Sequence, residues 1–247
     1  MPLLTRLTMR LTAALALTAP LSLPSHAAQP LSTLPDTLAQ RVAACTACHN
    51  NQSRSDAFFP RIAGKPSGYL YNQLVNFREG RRNYPMMTYM VDHLPDAYLR
   101  EIADYFSALH PPYAPATIST ASNAQLERGR TLVLQGDPAK KVPACIACHG
   151  KQLAGVEPSV PGLLGLPPDY INAQFGAWKS KIRRAQAPDC MAEIATRLSN
   201  ADVAALSGWL GGQLPDAAAR PATTVPLPLP LACGSVPDSV TRPASAP

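Results

Sequence analysis

Charge and aromatic rings are scarce in this 247-residue sequence, at 15% and 6% of its residues. The basic residues form no stripe interleaved with aromatics, which is the footprint of a nucleic-acid-binding protein, so no nucleic-acid partner is expected. The short runs Arg81-Arg82, Lys140-Lys141 and Arg183-Arg184 read as solvated surface. Long apolar runs are lacking as well. The stretch from Leu11 to Leu23 falls short of the roughly 20 residues that span a bilayer and is interrupted by Pro20, with Pro24 just beyond it. No later segment is expected to cross a membrane.

What the first residues do contain is the layout of a secretory leader. Arg6 and Arg10 are the only charges before an apolar centre, and Ser25-His26-Ala27 supplies small residues at the cut. The expectation is a leader over residues 1–27, cleaved near Ala27, and a mature protein in the periplasm. Cleavage removes two of the 22 basic residues and none of the 16 acidic ones, so the mature chain stays mildly basic. Export also permits disulfides.

The chain repeats itself with a period near one hundred. Cys45-Thr46-Ala47-Cys48-His49 returns as Cys145-Ile146-Ala147-Cys148-His149. Pro60 and Gly64 match Pro161 and Gly165. Tyr69, Gln73 and Phe77 match Tyr170, Gln174 and Trp178, and Met87 and Leu94 match Met191 and Leu198. Landmarks that recur in one order, with small drifts absorbed in loops, mark a duplicated unit.

Each copy reads as a small helical unit. Helical character runs over Asp36 to Ala44 and Asn123 to Gln135, with Asp36 and Asn123 as N-caps. Tyr69, Leu70, Gln73, Leu74 and Phe77 share one helical face, as do Tyr170, Ile171, Gln174 and Trp178. A last helix carries Leu99, Ile102, Ala103 and Phe106 in the first copy. Its counterpart, capped by Asn200, carries Val203, Leu206 and Leu210. The expected organisation is all-α: domains over 28–110 and 123–214, a Pro-rich linker over 111–122, and an irregular Pro/Ala-rich tail over 215–247.

Cys-x-x-Cys-His is the attachment signature of a c-type haem. Its two thiols add to the haem vinyl groups, and the adjacent histidine supplies an axial nitrogen to the iron. The covalent pairs are then Cys45 with Cys48 and Cys145 with Cys148, and the axial histidines are His49 and His149, giving two haem c groups per chain. A zinc site would need further ligands, and the second copy has no other Cys-x-x-Cys or His-x-x-x-His. A thioredoxin-like pair would want a βαβ context, which the helical pattern denies it.

Between residues 123 and 214 the only methionine is Met191, and the only histidine is His149, so Met191 is the expected sixth ligand of the second iron. The repeat points to Met87 for the first, with Met86, Met90 and His93 as rivals. An iron with two protein ligands has no open place for substrate and favours electron transfer over catalysis. The second copy is slightly more basic than the first, but haem propionates add negative charge to both, and no donor or acceptor face is assigned from that difference.

The paired attachment motifs, the Pro-x-x-x-Gly segments from Pro60 and Pro161, the Tyr-bearing helices and the Met-to-Leu stretches together resemble the dihaem cytochrome c4 family over residues 36–213. The resemblance implies two cytochrome c folds whose haems approach through their edges. It implies that the carbonyls of Pro60 and Pro161 orient His49 and His149. It further implies electron exchange with a quinol-oxidising complex, a terminal oxidase or a periplasmic dehydrogenase, by a free or loosely membrane-associated carrier. The alternatives are a cytochrome subunit of such a dehydrogenase, or a dihaem enzyme of peroxidase or thiosulfate-oxidising type. Two features depart from the family pattern: the proline-rich tail, and the two cysteines left over, Cys190 and Cys233, for which an oxidising compartment makes a disulfide the expectation and a pair of unlinked thiols the alternative.

Overall fold

The computed structural model describes residues 37–49, 58–223 and 228–237. The leader with its cut near Ala27, and the Asp36 cap, lie outside them. The described chain is helical apart from one antiparallel pair, β1 (Gly155–Val156) with β2 (Val160–Pro161). Among the described residues no helix is long and apolar enough to cross a membrane.

In the first half the helical stretch before the attachment motif is two short helices, α1 (Leu38–Arg41) and α2 (Ala43–Thr46), rather than one, and the motif begins at the end of α2 and continues into a turn. Val42 leaves helical geometry between them, at φ −89° and ψ 2°, and buries its side chain completely. Thr37 caps α1 through a bond from the Gln40 N–H at 3.2 Å. Next come α3 (Ser67–Arg78), α4 (Pro85–Val91) and α5 (Asp96–Ala108). The apolar face read for α5 is the buried one: Leu99, Ile102, Ala103 and Phe106 are all inside.

The second half runs α6 (Asn123–Leu134), α7 (Ile146–His149), α8 (Pro168–Lys179), α9 (Cys190–Arg197) and α10 (Asn200–Gly211). The caps of α6 and α10 fall one residue earlier than expected, on Ser122 and Ser199. Each serine accepts the N–H of the third helical residue, and Gln125 or Asp202 returns a bond to the serine N–H. This reciprocal arrangement satisfies two end donors where a lone asparagine would satisfy one. Helices α6 and α10 cross at Gly129, where a Cβ would stand 2.1 Å from the Ala205 carbonyl oxygen. The contact needs a residue without a side chain. Around this crossing Leu132, Val133, Tyr170, Phe175, Leu206 and Leu210 form the largest apolar cluster.

The matched Pro-x-x-x-Gly segments end in the same backbone state, with Gly64 at φ +73° and Gly165 at φ +72°. That left-handed region is open to glycine at little cost. The Pro-rich linker is held by hydrogen bonds to both halves. Arg61 donates to the Pro111 and Pro112 carbonyls at 2.6 and 2.9 Å, and Thr117 N–H bonds the Gly211 carbonyl at 2.8 Å.

The two halves meet directly. Asn83 N–H donates to Ile182 O at 3.0 Å and Arg184 N–H to Arg81 O at 2.6 Å, flanking a bridge between Arg82 and Arg183. The tail also folds back on the second half. Ala222 pairs with Val156, and Val236 is buried against Val156 and Val160.

Candidate functional site

The second attachment motif opens onto an apolar cavity lined by Cys145, Cys148, His149 and Met191, with Phe175 and Trp178 on its wall. Helix α7 carries the histidine, and β2 fixes its ring: His149 Nδ1 lies 2.8 Å from the Pro161 carbonyl. Since a carbonyl only accepts, Nδ1 is the protonated nitrogen, and the lone pair belongs to Nε2. Burial lowers the His149 pKa, against the opposing bond to Pro161, and the ring is held neutral, the state in which imidazole binds a metal. Burial likewise pushes the Cys145 thiol up to about 12, so its sulfur stays uncharged.

The first site repeats this geometry in a more open setting. His49 Nδ1 is 3.0 Å from the Pro60 carbonyl, and burial again lowers its pKa. Cys45 packs against the cluster of Val42, Leu70 and Phe106, whereas Cys48 is exposed. Met87 and Met90 both pack on a neighbouring cluster of Phe77, Val91 and Leu99. Met86 is 59% exposed, and the His93 side chain is 94% exposed beside Asp92.

Cys190 and Cys233 form a disulfide with a Cα–Cα distance of 5.1 Å. It ties the tail to the first residue of α9, immediately before Met191. Leu229, Leu231 and Val236 of the tail thereby become part of the cavity wall, and Asn72 of the first half donates to the Ser235 carbonyl at 3.2 Å.

One sequence expectation is overturned. Arg82 and Arg183 are not solvated surface: Arg183 is buried and Arg82 partly so, and they face each other across the junction of the halves. Their hydrogen bonds to Gln73, Gln174 and Tyr170 hold them in. The spacing of 101 residues between them, the same as between the two glutamines, was the available signal. Lys140 is also engaged, donating to Asp202. Sequence reasoning passed over Lys65 too, which is buried and donates to the Gly162 carbonyl at 2.9 Å.

The residues present fit a covalent haem. Two sulfurs, an oriented imidazole and a thioether share the wall of an apolar cavity, and the Trp178 indole N–H is buried there with no hydrogen-bond partner among the described residues. Bound haem c supplies a reversible one-electron couple at its iron. Among the described residues no three His, Cys, Asp or Glu side chains converge as a zinc site would require.

Comparison with known proteins agrees. The thiosulfate dehydrogenase electron acceptor of Thiomonas intermedia (strain K12) is 38% identical over 173 residues, covering 69% of this chain and 79% of that protein. Cytochrome c4 of Azotobacter vinelandii is 32% identical over 184 residues, covering 70% and 85%. The crystal structure of reduced recombinant cytochrome c4 from Pseudomonas stutzeri superposes with a TM-score of 0.59 at 30% identity, covering 71% of this chain and 96% of that one. No family model matches the chain. The shared helical fold and the similarity over most of these relatives' length establish that the chain belongs to the dihaem cytochrome c4 family, as a haem c-binding electron-transfer protein.

Proposed function

We propose that the chain is a periplasmic carrier of single electrons with two haem c groups, one in each of two domains over 28–110 and 123–214, and a leader removed near Ala27. Cys45 with Cys48 and Cys145 with Cys148 form the thioethers, His49 and Met87 ligate the first iron, and His149 and Met191 ligate the second. The observation that carries this reading is the matched pair of bonds from His49 Nδ1 to Pro60 O and from His149 Nδ1 to Pro161 O, at 3.0 and 2.8 Å. Each leaves the opposite ring nitrogen as the ligating atom and makes it more basic. Thioether ligation on the other side raises the potential and closes the iron to substrate.

The electron donor is a thiosulfate-oxidising dehydrogenase, by analogy with relatives named as its electron acceptor at 38% and 34% identity. A quinol-oxidising complex as donor and a terminal oxidase as acceptor are the second reading, suited to the relatives named cytochrome c4. The test is a pyridine haemochrome count on the mature protein, with a search for the weak near-infrared band of Met-ligated ferric haem. Two low-spin haems per chain support the carrier. A high-spin component that shifts with thiosulfate or cyanide means one iron is open and sinks it. Stopped-flow reduction by a thiosulfate dehydrogenase, against reduction by a quinol-oxidising complex, decides between the donors.

A further inference from the structure

The proline-rich segment over 228–237 presents two different sides. Pro228, Pro230 and Ala232 are exposed, whereas Leu229, Leu231 and Cys233 between them are half-buried and line the cavity of the second attachment motif. In an extended chain successive side chains point to opposite sides, so alternating proline with leucine turns the leucines inward and the prolines out. The prolines have no N–H to leave unpaired, and their fixed φ lowers the entropy lost when the segment is ordered.

This strap is anchored along its length. Ahead of it Ala222 N–H donates to Gly155 O at 2.9 Å, and Glu157 N–H donates to Ala222 O at 2.8 Å. The disulfide to Cys190 fixes its middle. Gly234 N–H then donates to Pro188 O at 2.9 Å, in an approach so close that a Cβ on Gly234 would stand 2.1 Å from the Ala187 carbonyl oxygen. Val236 packs with Val156 and Val160, and Asn72 of the first half holds the Ser235 carbonyl. Among the described residues the first half has no such strap. Helix α4, which carries Met87 as α9 carries Met191, has no cysteine to tie one, and Cys48 of its attachment motif is exposed.

We propose that the strap is a specificity element: Leu229 and Leu231, held in place by the Cys190–Cys233 bridge, shield the second haem from external redox proteins and leave the first haem as their port. This rests on the reading that each half carries a haem. Electron transfer falls steeply with distance, so a layer of side chains that keeps a donor away from one iron selects the other. An external donor is oxidised by one electron as the first ferric iron becomes ferrous. That electron then passes to the second iron, which returns the first to the ferric state. The two leucines are therefore specificity-determining residues that ligate nothing, and the disulfide keeps them against the cavity.

The experiment is NMR of the loaded, reduced protein with a soluble gadolinium chelate, read at the methyl resonances of the two ligating methionines. Their loss in Met87→Ala and Met191→Ala assigns them. In the wild type the chelate broadens the Met87 methyl and leaves the Met191 methyl protected. Leu229→Ala with Leu231→Ala removes part of that protection. Adding Cys190→Ser and Cys233→Ser removes the rest and brings Met191 to the Met87 value. A functional readout comes from Cys45→Ala with Cys48→Ala, a chain that keeps the second haem alone. Ferrous EDTA reduces it slowly with the strap intact and severalfold faster with the strap substitutions added. Should that chain fail to accumulate, the methyl protection carries the test. Equal broadening of the two methyls in the wild type overturns the shield, as does protection that survives the combined strap variant. A lower thermal midpoint with protection unchanged reduces the strap to a stabilising tie and overturns the proposal too. A count of one haem per wild-type chain overturns the two-haem reading by itself, independently of the strap.

Discussion

Around His149 the chain builds an apolar pocket: Cys145 and Met191 pack against the main core, and a disulfide-held segment contributes to its wall. In the first half the same motif starts at the end of a four-residue helix and runs into a turn, Cys48 is exposed, and Phe58, Tyr84, Met86 and Tyr89 leave apolar surface in solvent. The histidine-to-carbonyl geometry is duplicated, but among the described residues the disulfide-held covering segment is not. Solvent exposure and hydrogen bonding are levers on haem potential, so a repeat can keep one chemistry while the segments around it set two different couples.

Removing the proposed sixth ligands should break the comparison most completely. Met191→Ala is expected to abolish the second haem's share of the near-infrared band and lower its potential, with the first haem's share intact. Met87→Ala should do the reverse. Near-infrared absorption and magnetic circular dichroism check both. A band left whole in Met87→Ala transfers the role to Met90, the other methionine on the same cluster.

The disulfide comes next. It closes a loop of 43 residues, for which cross-linking stabilises by about 2–4 kcal/mol. Cys190→Ser with Cys233→Ser should lower the thermal midpoint by that equivalent and act on the second site alone. Hydrogen exchange should rise in α9, which begins at Cys190, and stay unchanged in α4, which has no such tie. Equal loosening of α4 would show that the tail steadies the whole molecule instead.

That asymmetry was only half legible in the sequence. The attachment motifs, the helical faces and the pairing of Cys190 with Cys233 follow from local spacing or from elimination, and local patterns are what a chain displays. Arg82 and Arg183 were misread because burial at a junction of halves is a long-range property. A basic dipeptide looks the same on a surface and in an interface, and only the glutamines facing it distinguish the two. The irregular character of the tail was legible but its packing was not: a proline-rich stretch has no periodicity to announce that Val236 will be buried. The caps slipped by one residue because Ser122-Asn123 and Ser199-Asn200 each offer two good capping residues in succession.

A smaller effect lies at Asp202, where the second half has a charge network. Burial opposes ionisation of its carboxyl, but bonds from Lys140, Ser199 and Arg128 outweigh it and hold the pKa well below the usual carboxylate range. A folded-state pKa below the unfolded one contributes stability above the unfolded value, about 3.9, and that contribution fades as pH falls further. Asp202→Asn should therefore cost about 1–2 kcal/mol at neutral pH. The gap between variant and wild type should narrow below about pH 4. Denaturant melts at pH 7 and pH 3 check the sign, and a gap that widens in acid would contradict it.

The smallest expected effect sharpens the first site. His93 is a chemically able rival to Met87, and an imidazole at the sixth position would give a lower potential than a thioether. Its side chain is almost wholly in solvent, with Asp92 its near neighbour at 3.7 Å, while Met87 packs beside Phe77 and Leu99. A ligand to iron in an apolar cavity has to leave water, and among the described residues His93 has only the exposed Asp92 as a polar neighbour. His93→Gln should leave both potentials and the full near-infrared band at wild-type values. A gain in the band would mean that a bis-histidine fraction had been released to methionine ligation, and the more open of the two sites would then be one that exchanges its ligand.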